Sequence, residues 1–226
     1  MATRNRRRAS NAGTDDLQRV ARIYDSRAEH WDERELRAEN RIVGDTFRDG
    51  FAAELHGDVL ELGVGTGETL RRLRSRGNTG VTSFTGVDIS TGMLGQASRY
   101  KGAMPFPVSL HQANAESLAM FGDGTFDTVA SSLVLCTVPD QEAALREMAR
   151  VARPDGKIVL LEHVLSSNPL VKPVMKIAAP FQVKAMGCHL DRRTDQIIRK
   201  LGFRVEQDRS RVFGIFHLIV ARPPHR

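Results

Sequence analysis

Short apolar segments alternate with amphipathic helical patterns along the chain after residue 58. Five of these segments predict strands, at Val59–Leu62, Val81–Val87, Val108–Gln112, Thr125–Ser131 and Lys157–Glu162. Strands that alternate with helices predict a parallel sheet covered on both faces. Phe203–Gln207 and Ile215–Ala221 predict two further strands, and their short, non-helical link predicts that the last strand is antiparallel. The fold class is therefore α/β, with a doubly wound, seven-stranded, mostly parallel sheet.

Two helical patterns precede the first strand. Thr14 is the predicted N-cap of the first helix, in which apolar residues recur at helical spacing up to Tyr24. The second helix is predicted from Ala38 to Leu55, with a buried stripe formed by Ile42, Val43, Phe47, Phe51 and Leu55. Further along the chain, Ser90 and Asp140 are the predicted caps of two more helices.

A long insertion separates the fifth strand from the next predicted helix, Arg192–Leu201. Its apolar residues are interspersed with Lys172, Lys176 and Lys184, and Pro173 and Pro180 are expected to break any long helix. The segment is expected to form a hydrophobic wall of a pocket, and the alternative is that it lies on a lipid surface.

Composition limits the classes of protein that fit. The chain of 226 residues suits one α/β domain, and no run of 18 apolar residues or N-terminal apolar stretch is present, so we expect a cytoplasmic protein. The net charge is +6, but residues 4–8 hold four arginines in a polar arm, and the remainder carries +2 (6 − 4 = 2). We expect residues 1–13 to be disordered and, without a recognisable RNA- or DNA-binding module, no nucleic-acid partner.

The chain has two cysteines, Cys136 and Cys188, and this number does not indicate a disulfide framework. The histidines are too scattered along the chain for the usual spacing of metal ligands, so the sequence predicts no metal site.

The loop after the first strand contains three glycines at alternate positions, Gly63, Gly65 and Gly67. In an open α/β sheet, ligands bind at the carboxyl ends of the strands, and glycine lets the backbone approach them closely. The order is E-x-G-x-G-x-G, whereas dinucleotide folds have G-x-G-x-x-G. Glu61 would repel a pyrophosphate and suits a ligand with a positive group, such as S-adenosylmethionine, which has an ammonium and a sulfonium but no phosphate.

Asp88 ends the second predicted strand, 21 positions after Gly67 (88 − 67 = 21). An acid at that place accepts hydrogen bonds from the two hydroxyls of a ribose. Taken alone, this feature fits NAD as well as S-adenosylmethionine.

The motifs VLELGVGTG, TGVDIS, ANAESL, GTFDTVASSLVL and REMARVARPDGKIVLLEHV occur in this order. From about Tyr24 to its end, the chain resembles class I S-adenosylmethionine-dependent methyltransferases, which implies a Rossmann-like fold. It is most similar to the subgroup of the ubiquinone/menaquinone methyltransferases and bacterial phosphatidylethanolamine N-methyltransferases. LVLCTV, LLEHV and GCHLDRRT also resemble methyltransferase-like thiol methyltransferases.

The resemblance implies a set of residues that bind S-adenosylmethionine. They are Glu61, Gly63, Val64, Gly65, Thr66 and Gly67 at the methionine part, Asp88, Ile89 and Met93 at the ribose and adenine, Asn114 and Ala115 at the adenine amino group, Ser132 and Leu133 near the sulfonium, and Tyr24 in an N-terminal lid. Asn114 stands where the family usually has Asp, and its carbonyl oxygen can still accept a hydrogen bond. The implied organisation is one domain, 14–226, with a helical lid at 14–56 and an acceptor-side insertion at 164–190.

Methyl transfer from a sulfonium is an in-line displacement, for which the protein supplies alignment and a dry site. His163, at the carboxyl end of the fifth strand, is the candidate general base, and the alternative is a histidine that only hydrogen-bonds the loop. Trp31, Phe181 and His189 are expected in the acceptor pocket. Trp31 and Tyr24 could instead be core residues.

The sequence therefore predicts a methyltransferase of class EC 2.1.1 that modifies N, O or S of a small, apolar acceptor. One alternative is a phospholipid or quinone-precursor methyltransferase in peripheral contact with a membrane. Alternatives of other classes are an NAD(P)-dependent oxidoreductase and a non-catalytic protein that binds the cofactor. The oligomeric state is not predicted.

Overall fold

A computed structural model describes residues 15–77 and 80–224. Its sheet has the strand order β3-β2-β1-β4-β5-β7-β6. The strands are β1 Gly57–Leu62, β2 Val81–Asp88, β3 Val108–Gln112, β4 Phe126–Ser132, β5 Ala152–His163, β6 Arg204–Arg211 and β7 Phe216–Arg222. β7 pairs antiparallel with both β5 and β6, and the other neighbouring strands are parallel. The predicted α/β fold and the antiparallel last strand are confirmed.

Helices cover both faces of this sheet. They are α1 (residues 15–25), α2 Arg37–Val43, α3 Asp45–Ala53, α4 Glu68–Arg76, α5 Thr91–Ala97, α6 Gln141–Val151, α7 Val171–Met186 and α8 Thr194–Lys200. Ser90 Oγ accepts from the Met93 amide at 3.1 Å, and Asp140 Oδ1 accepts from the Ala143 amide at 2.9 Å. Both predicted caps are therefore confirmed, whereas Thr14 and the basic arm lie outside the described residues.

The helix predicted from Ala38 to Leu55 is two helices. Gly44 adopts φ 82° and ψ 147° between α2 and α3, a conformation that only glycine reaches without strain. The break rotates α2 relative to the predicted stripe, so Ile42 is 52% exposed while Val43 and Phe51 remain buried. The prediction of one helix with a continuous stripe was wrong.

α7 runs for 16 residues through both prolines, so the prediction that they prevent a long helix was also wrong. Pro173 lies in the first turn, where the missing amide would have had no helical partner. Pro180 lies within the helix and its side chain is exposed, so its ring faces solvent. The buried side of α7, formed by Met175 and Ala179, holds the helix on the domain.

α7 also contacts α1. Arg19 donates a hydrogen bond to the Val183 carbonyl at 3.1 Å, and Arg27, in the turn after α1, donates to the Ala185 carbonyl at 3.3 Å. Gly187, which ends α7 at φ 70°, lies so close to Val20 that a Cβ there would be 2.9 Å from that side chain.

Alternate residues of the central strands point to opposite faces of the sheet. Leu60 and Val129 pack with the apolar side of α6 on one face. Val59, Ala130 and Phe51 pack with α4 on the other face. Strand order reverses between β1 and β4, and the carboxyl ends of parallel strands at such a point form a crevice.

Candidate active site

A cavity lies at the carboxyl ends of β1, β2 and β4, where the strand order reverses. Its empty space is about 1010 Å³, part of it open to solvent. Most of the predicted site residues line it: Tyr24, Trp31, Glu61, Gly63, Val64, Gly65, Thr66, Asp88, Ile89, Met93, Asn114, Ala115, Ser132 and Leu133.

The three loop glycines all have positive φ, but their surroundings differ. At Gly65 (φ 54°) an added Cβ would meet only the Gly63 carbonyl oxygen, at 4.0 Å, so the bare backbone borders open cavity space. Gly67 (φ 89°) does not line the cavity, and a Cβ there would be 2.7 Å from the Tyr100 ring. Gly65 therefore provides access for a ligand, whereas Gly67 allows close packing where α4 begins.

Glu61 is buried in the wall of the cavity. Its Oε1 accepts a hydrogen bond from Thr69 Oγ1 at 2.6 Å, while its Oε2 is buried without a hydrogen-bond partner among the described residues. Burial raises the pKa of this carboxyl to about 8. A buried carboxylate oxygen without a partner is costly, and a positively charged group in the cavity would satisfy it. This feature fits the ammonium of S-adenosylmethionine.

Asp88 holds the glycine loop against the end of β2. Its Oδ2 accepts from the Gly65 amide and its Oδ1 from the Ser90 amide, each at 2.9 Å. Desolvation raises the pKa of Asp88 to about 6, although the backbone hydrogen bonds oppose the shift. Each carboxylate oxygen has a second lone pair, so both oxygens can still accept from a ribose hydroxyl.

Asn114 lies at the far end of the cavity. Its Oδ1 accepts from the Glu116 amide at 2.9 Å, an arrangement that fixes the side chain in a tight turn after β3. One lone pair of Oδ1 remains for a ligand donor.

The helical segment of residues 15–36, which we name the helical cover, contributes to the lining of the cavity. Asp25 Oδ1 accepts from Ser90 Oγ at 2.6 Å and from the Gly92 amide at 2.9 Å, which fixes the end of α1 to the start of α5. Asp32 accepts from Thr66 Oγ1 at 2.5 Å. The rings of Tyr24 and Trp31 lie 5.2 Å apart, and both line the cavity.

The sequence did not identify Arg48 or Glu39 as site residues. Both line the cavity, and Arg48, although buried, donates to Glu39 Oε2 at 2.9 Å and to Ser132 Oγ at 3.2 Å. Its Nε is buried without a partner. The sequence signal that could have identified Arg48 is its position: it is a charged residue three positions before Phe51, on the apolar side of α3.

His163 is buried and does not line the cavity. Its Nε2 is 2.8 Å from Cys188 Sγ, and its Nδ1 has no hydrogen-bond partner within residues 15–77 and 80–224. Burial alone would lower the pKa of His163, but the hydrogen bond with Cys188 and the charges of Cys188 and Glu162 raise it overall.

Of the three residues expected in the acceptor pocket, Trp31 lines this cavity, and Phe181 and His189 do not. Phe181 lies on the outward side of α7, because Met175 and Ala179 provide the side that packs on the domain.

Four large apolar side chains form the outward side of this helical region, which we name the α7 stripe. Leu170, Val174, Ile177 and Phe181 recur at helical spacing and are 64% to 82% exposed. α7 contains three lysines and no acidic residue. Among the helices of residues 15–77 and 80–224, none is long and apolar enough to cross a bilayer.

Residues 60–160 match the family model described as a methyltransferase domain. A phosphatidylethanolamine N-methyltransferase from Cereibacter sphaeroides is 37% identical over 137 residues, which are 60% of this chain and 64% of that protein. A ubiquinone/menaquinone biosynthesis C-methyltransferase from Klebsiella pneumoniae is 37% identical over 119 residues, 52% of this chain and 46% of that protein. The chain thus spans about half to two thirds of the length of these relatives.

Among solved structures, a chain from the complex of the Haloferax volcanii Trm112 methyltransferase activator with a methyltransferase has a TM-score of 0.68. It is 21% identical, and the match covers 89% of this chain and 98% of that one. The resemblance in sequence and fold to the class I S-adenosylmethionine-dependent methyltransferases is therefore confirmed.

Proposed function

We propose that the protein transfers a methyl group from S-adenosylmethionine to N, O or S of a small, apolar acceptor. The observation that carries this proposal is Glu61 Oε2, a buried, partnerless carboxylate oxygen in the wall of the cavity beside the open backbone of Gly65. Glu61 suits the ammonium of a ligand with adjacent ammonium and carboxylate groups, and the open backbone at Gly65 leaves room for the carboxylate. Once ionised, Glu61 would repel a pyrophosphate, which disfavours the alternative of an NAD(P)-dependent oxidoreductase.

Several residues of the chain would hold the cofactor. Glu61 binds the ammonium, the backbone around Gly65 accommodates the carboxylate end, and Asp88 accepts from the ribose hydroxyls. Ile89 and Met93 pack against the adenine, and Asn114 accepts from its amino group. When bound, the cofactor supplies a methyl group that its sulfonium already activates, so the acceptor attacks in line.

Water exclusion and alignment are the other contributions of the chain. Apolar side chains at the acceptor end, including Trp31, Leu133 and Val138, provide a dry environment for the reacting atoms. Tyr24 and the helical cover close this space from outside. His163 lies behind the cavity wall, so the proposed reaction gives it no proton-transfer step.

The α7 stripe favours a second candidate, in which the acceptor is a lipid-resident molecule such as a phospholipid or quinone precursor. Exposed apolar side chains beside lysines, without acids, are typical of helices that bind the surface of anionic membranes. α7 contacts α1, which lines the cavity through Leu17, Val20 and Tyr24, so such a surface would be close to the acceptor end.

Calorimetry with S-adenosylmethionine, S-adenosylhomocysteine, NAD and NADP tests the cofactor. We expect micromolar binding of the adenosyl-sulfur pair alone, and binding of NAD(P) instead would refute the interpretation of Glu61. Transfer of a radiolabelled methyl group to thiols, phenols, amines and a lipid extract then tests the reaction. Cofactor binding without transfer to any acceptor would favour the non-catalytic alternative.

Vesicle sedimentation tests the second candidate. We expect the protein to bind vesicles that contain phosphatidylglycerol, and the Ile177→Asp variant to lose that binding. Met120→Asp is the matched control, because Met120 is another exposed apolar residue and lies outside α7. Equal sedimentation of both variants would exclude the α7 stripe as a membrane surface.

A further inference from the structure

Three side chains that are distant in sequence meet behind the wall of the cavity. Cys136 lies in the turn after β4, His163 is the last residue of β5, and Cys188 follows Gly187 at the end of α7. All three are buried, and their Sγ and imidazole nitrogen atoms lie within 4.8 Å of one another. The sequence predicted no metal site from the spacing of these residues, and the fold brings them together.

Two thiols and one imidazole form a donor set that zinc prefers. Zinc binds cysteine sulfur at about 2.3 Å and histidine nitrogen at about 2.0–2.1 Å, usually in tetrahedral geometry. These bond lengths place sulfur and nitrogen roughly 3.5 Å apart. His163 Nε2 and Cys188 Sγ are 2.8 Å apart, so a modest separation of these two side chains would admit the ion.

The burial of the two cysteines also suits a cation. Cys136 is 2% exposed and Cys188 is 8% exposed. Cysteine binds zinc as a thiolate, and a dication in the cluster would stabilise both thiolates away from solvent.

We propose that Cys136, His163 and Cys188 bind one zinc ion as a site with two thiolates and one imidazole. Binding forms two Zn–S bonds and one Zn–N bond, and the protons of the two thiols, together with any proton on the imidazole nitrogen that binds, are released to solvent. Three protein ligands leave a fourth coordination position for an exogenous ligand. Zinc is a divalent, redox-inert ion, so the site requires no oxidant or reductant.

The position of this site gives the ion a structural consequence. Cys136 lies between Val134 and Thr137, both of which line the cavity, and Cys188 follows the helix that bears the α7 stripe. Zinc would therefore link the cavity wall, the end of β5 and the end of α7. The site does not depend on the proposed methyl transfer, because none of its three ligands lines the cavity.

Cobalt(II) titration of the full-length, reduced and metal-depleted protein tests the site directly. We expect thiolate-to-cobalt charge-transfer absorption, tetrahedral d–d bands and displacement of cobalt by zinc, with about one ion per chain. Cys136→Ser, Cys188→Ser and His163→Gln should each lose the bands or greatly weaken them. His189→Gln is the matched control and should retain them, because that imidazole is adjacent in sequence to Cys188 but outside the cluster.

Circular dichroism and S-adenosylhomocysteine calorimetry on each variant distinguish a variant that no longer binds the metal from one that no longer folds. If a variant unfolds, the wild-type cobalt spectrum still decides the question. A wild-type protein without thiolate–cobalt bands would overturn the proposal. Full zinc stoichiometry in all three folded variants would overturn it as well. A Cys136–Cys188 disulfide in air, with no ion bound after its reduction, would also contradict the site.

Discussion

Glu61 permits a quantitative test of the cofactor proposal, because its carboxyl is mostly protonated in the cofactor-free protein at neutral pH. With a pKa of about 8, deprotonation costs about 1.4 kcal/mol at pH 7 and about 2.7 kcal/mol at pH 6. A ligand whose ammonium pairs with the carboxylate must supply this free energy. Affinity should therefore rise with pH, by about ninefold between pH 6 and pH 7, with release of about 0.9 proton per ligand bound at pH 7.

The assay is calorimetry of S-adenosylhomocysteine at both pH values, in two buffers that differ in ionisation enthalpy. Asp88, with a pKa of about 6, adds about a twofold rise over the same interval if it too must be ionised to bind the ribose. In the Glu61→Gln variant we expect only the twofold rise in affinity that Asp88 causes. Ligand binding to this variant should release about 0.1 proton at pH 7. Affinity that does not change with pH in the wild type, or equal proton release in the variant, would refute the reasoning.

Glu68→Gln is the matched control, since Glu68 also lines the cavity. Burial opposes its ionisation, but hydrogen bonds from Arg71 and Arg72 lower the pKa of this carboxyl overall. Its carboxylate is already ionised before the ligand binds, so the variant should release the same number of protons as the wild type.

Four further variants test other contacts around the site. Asp88→Ala should weaken S-adenosylhomocysteine binding more than tenfold by calorimetry, through loss of charged hydrogen bonds, and unchanged affinity would remove the ribose assignment. Gly65→Ala should weaken binding because its Cβ enters the cavity, whereas Gly67→Ala should mainly lower Tm because its Cβ meets Tyr100, and calorimetry with thermal unfolding separates the two. Arg48→Met should lower Tm by several degrees, because Glu39 loses its ion pair, and an unchanged Tm would show that this pair contributes nothing to stability.

Local signals in the sequence predicted most of the fold. The strands follow from apolar runs, and Ser90 and Asp140 cap their helices through contacts only three residues away. The break at Gly44 was missed because an isolated glycine within a helical pattern is often tolerated. α7 was mispredicted because the cost of Pro180 depends on which side of the helix faces solvent, and tertiary packing determines that side.

The sequence predicted those site residues whose chemistry and position at the end of a strand both indicate ligand binding. Glu61, the glycine loop and Asp88 lie at strand ends, and parallel strands bring their carboxyl ends to one edge. The sequence did not identify Arg48 as a site residue because its hydrogen-bond partner Ser132 is 84 residues away along the chain. The cluster of Cys136, His163 and Cys188 combines three elements whose proximity appears only once the sheet and α7 are packed together.

The contacts between α1 and α7 have a mechanical consequence. α1 lines the cavity, and the segment from α1 to Arg27 is attached to α7 by hydrogen bonds to the Val183 and Ala185 carbonyls and by the close approach of Gly187 to Val20. Movement of α1 away from the cavity would either break these contacts or displace α7. We therefore expect a fluorophore at Val174 on α7 to report such a movement from the outer surface.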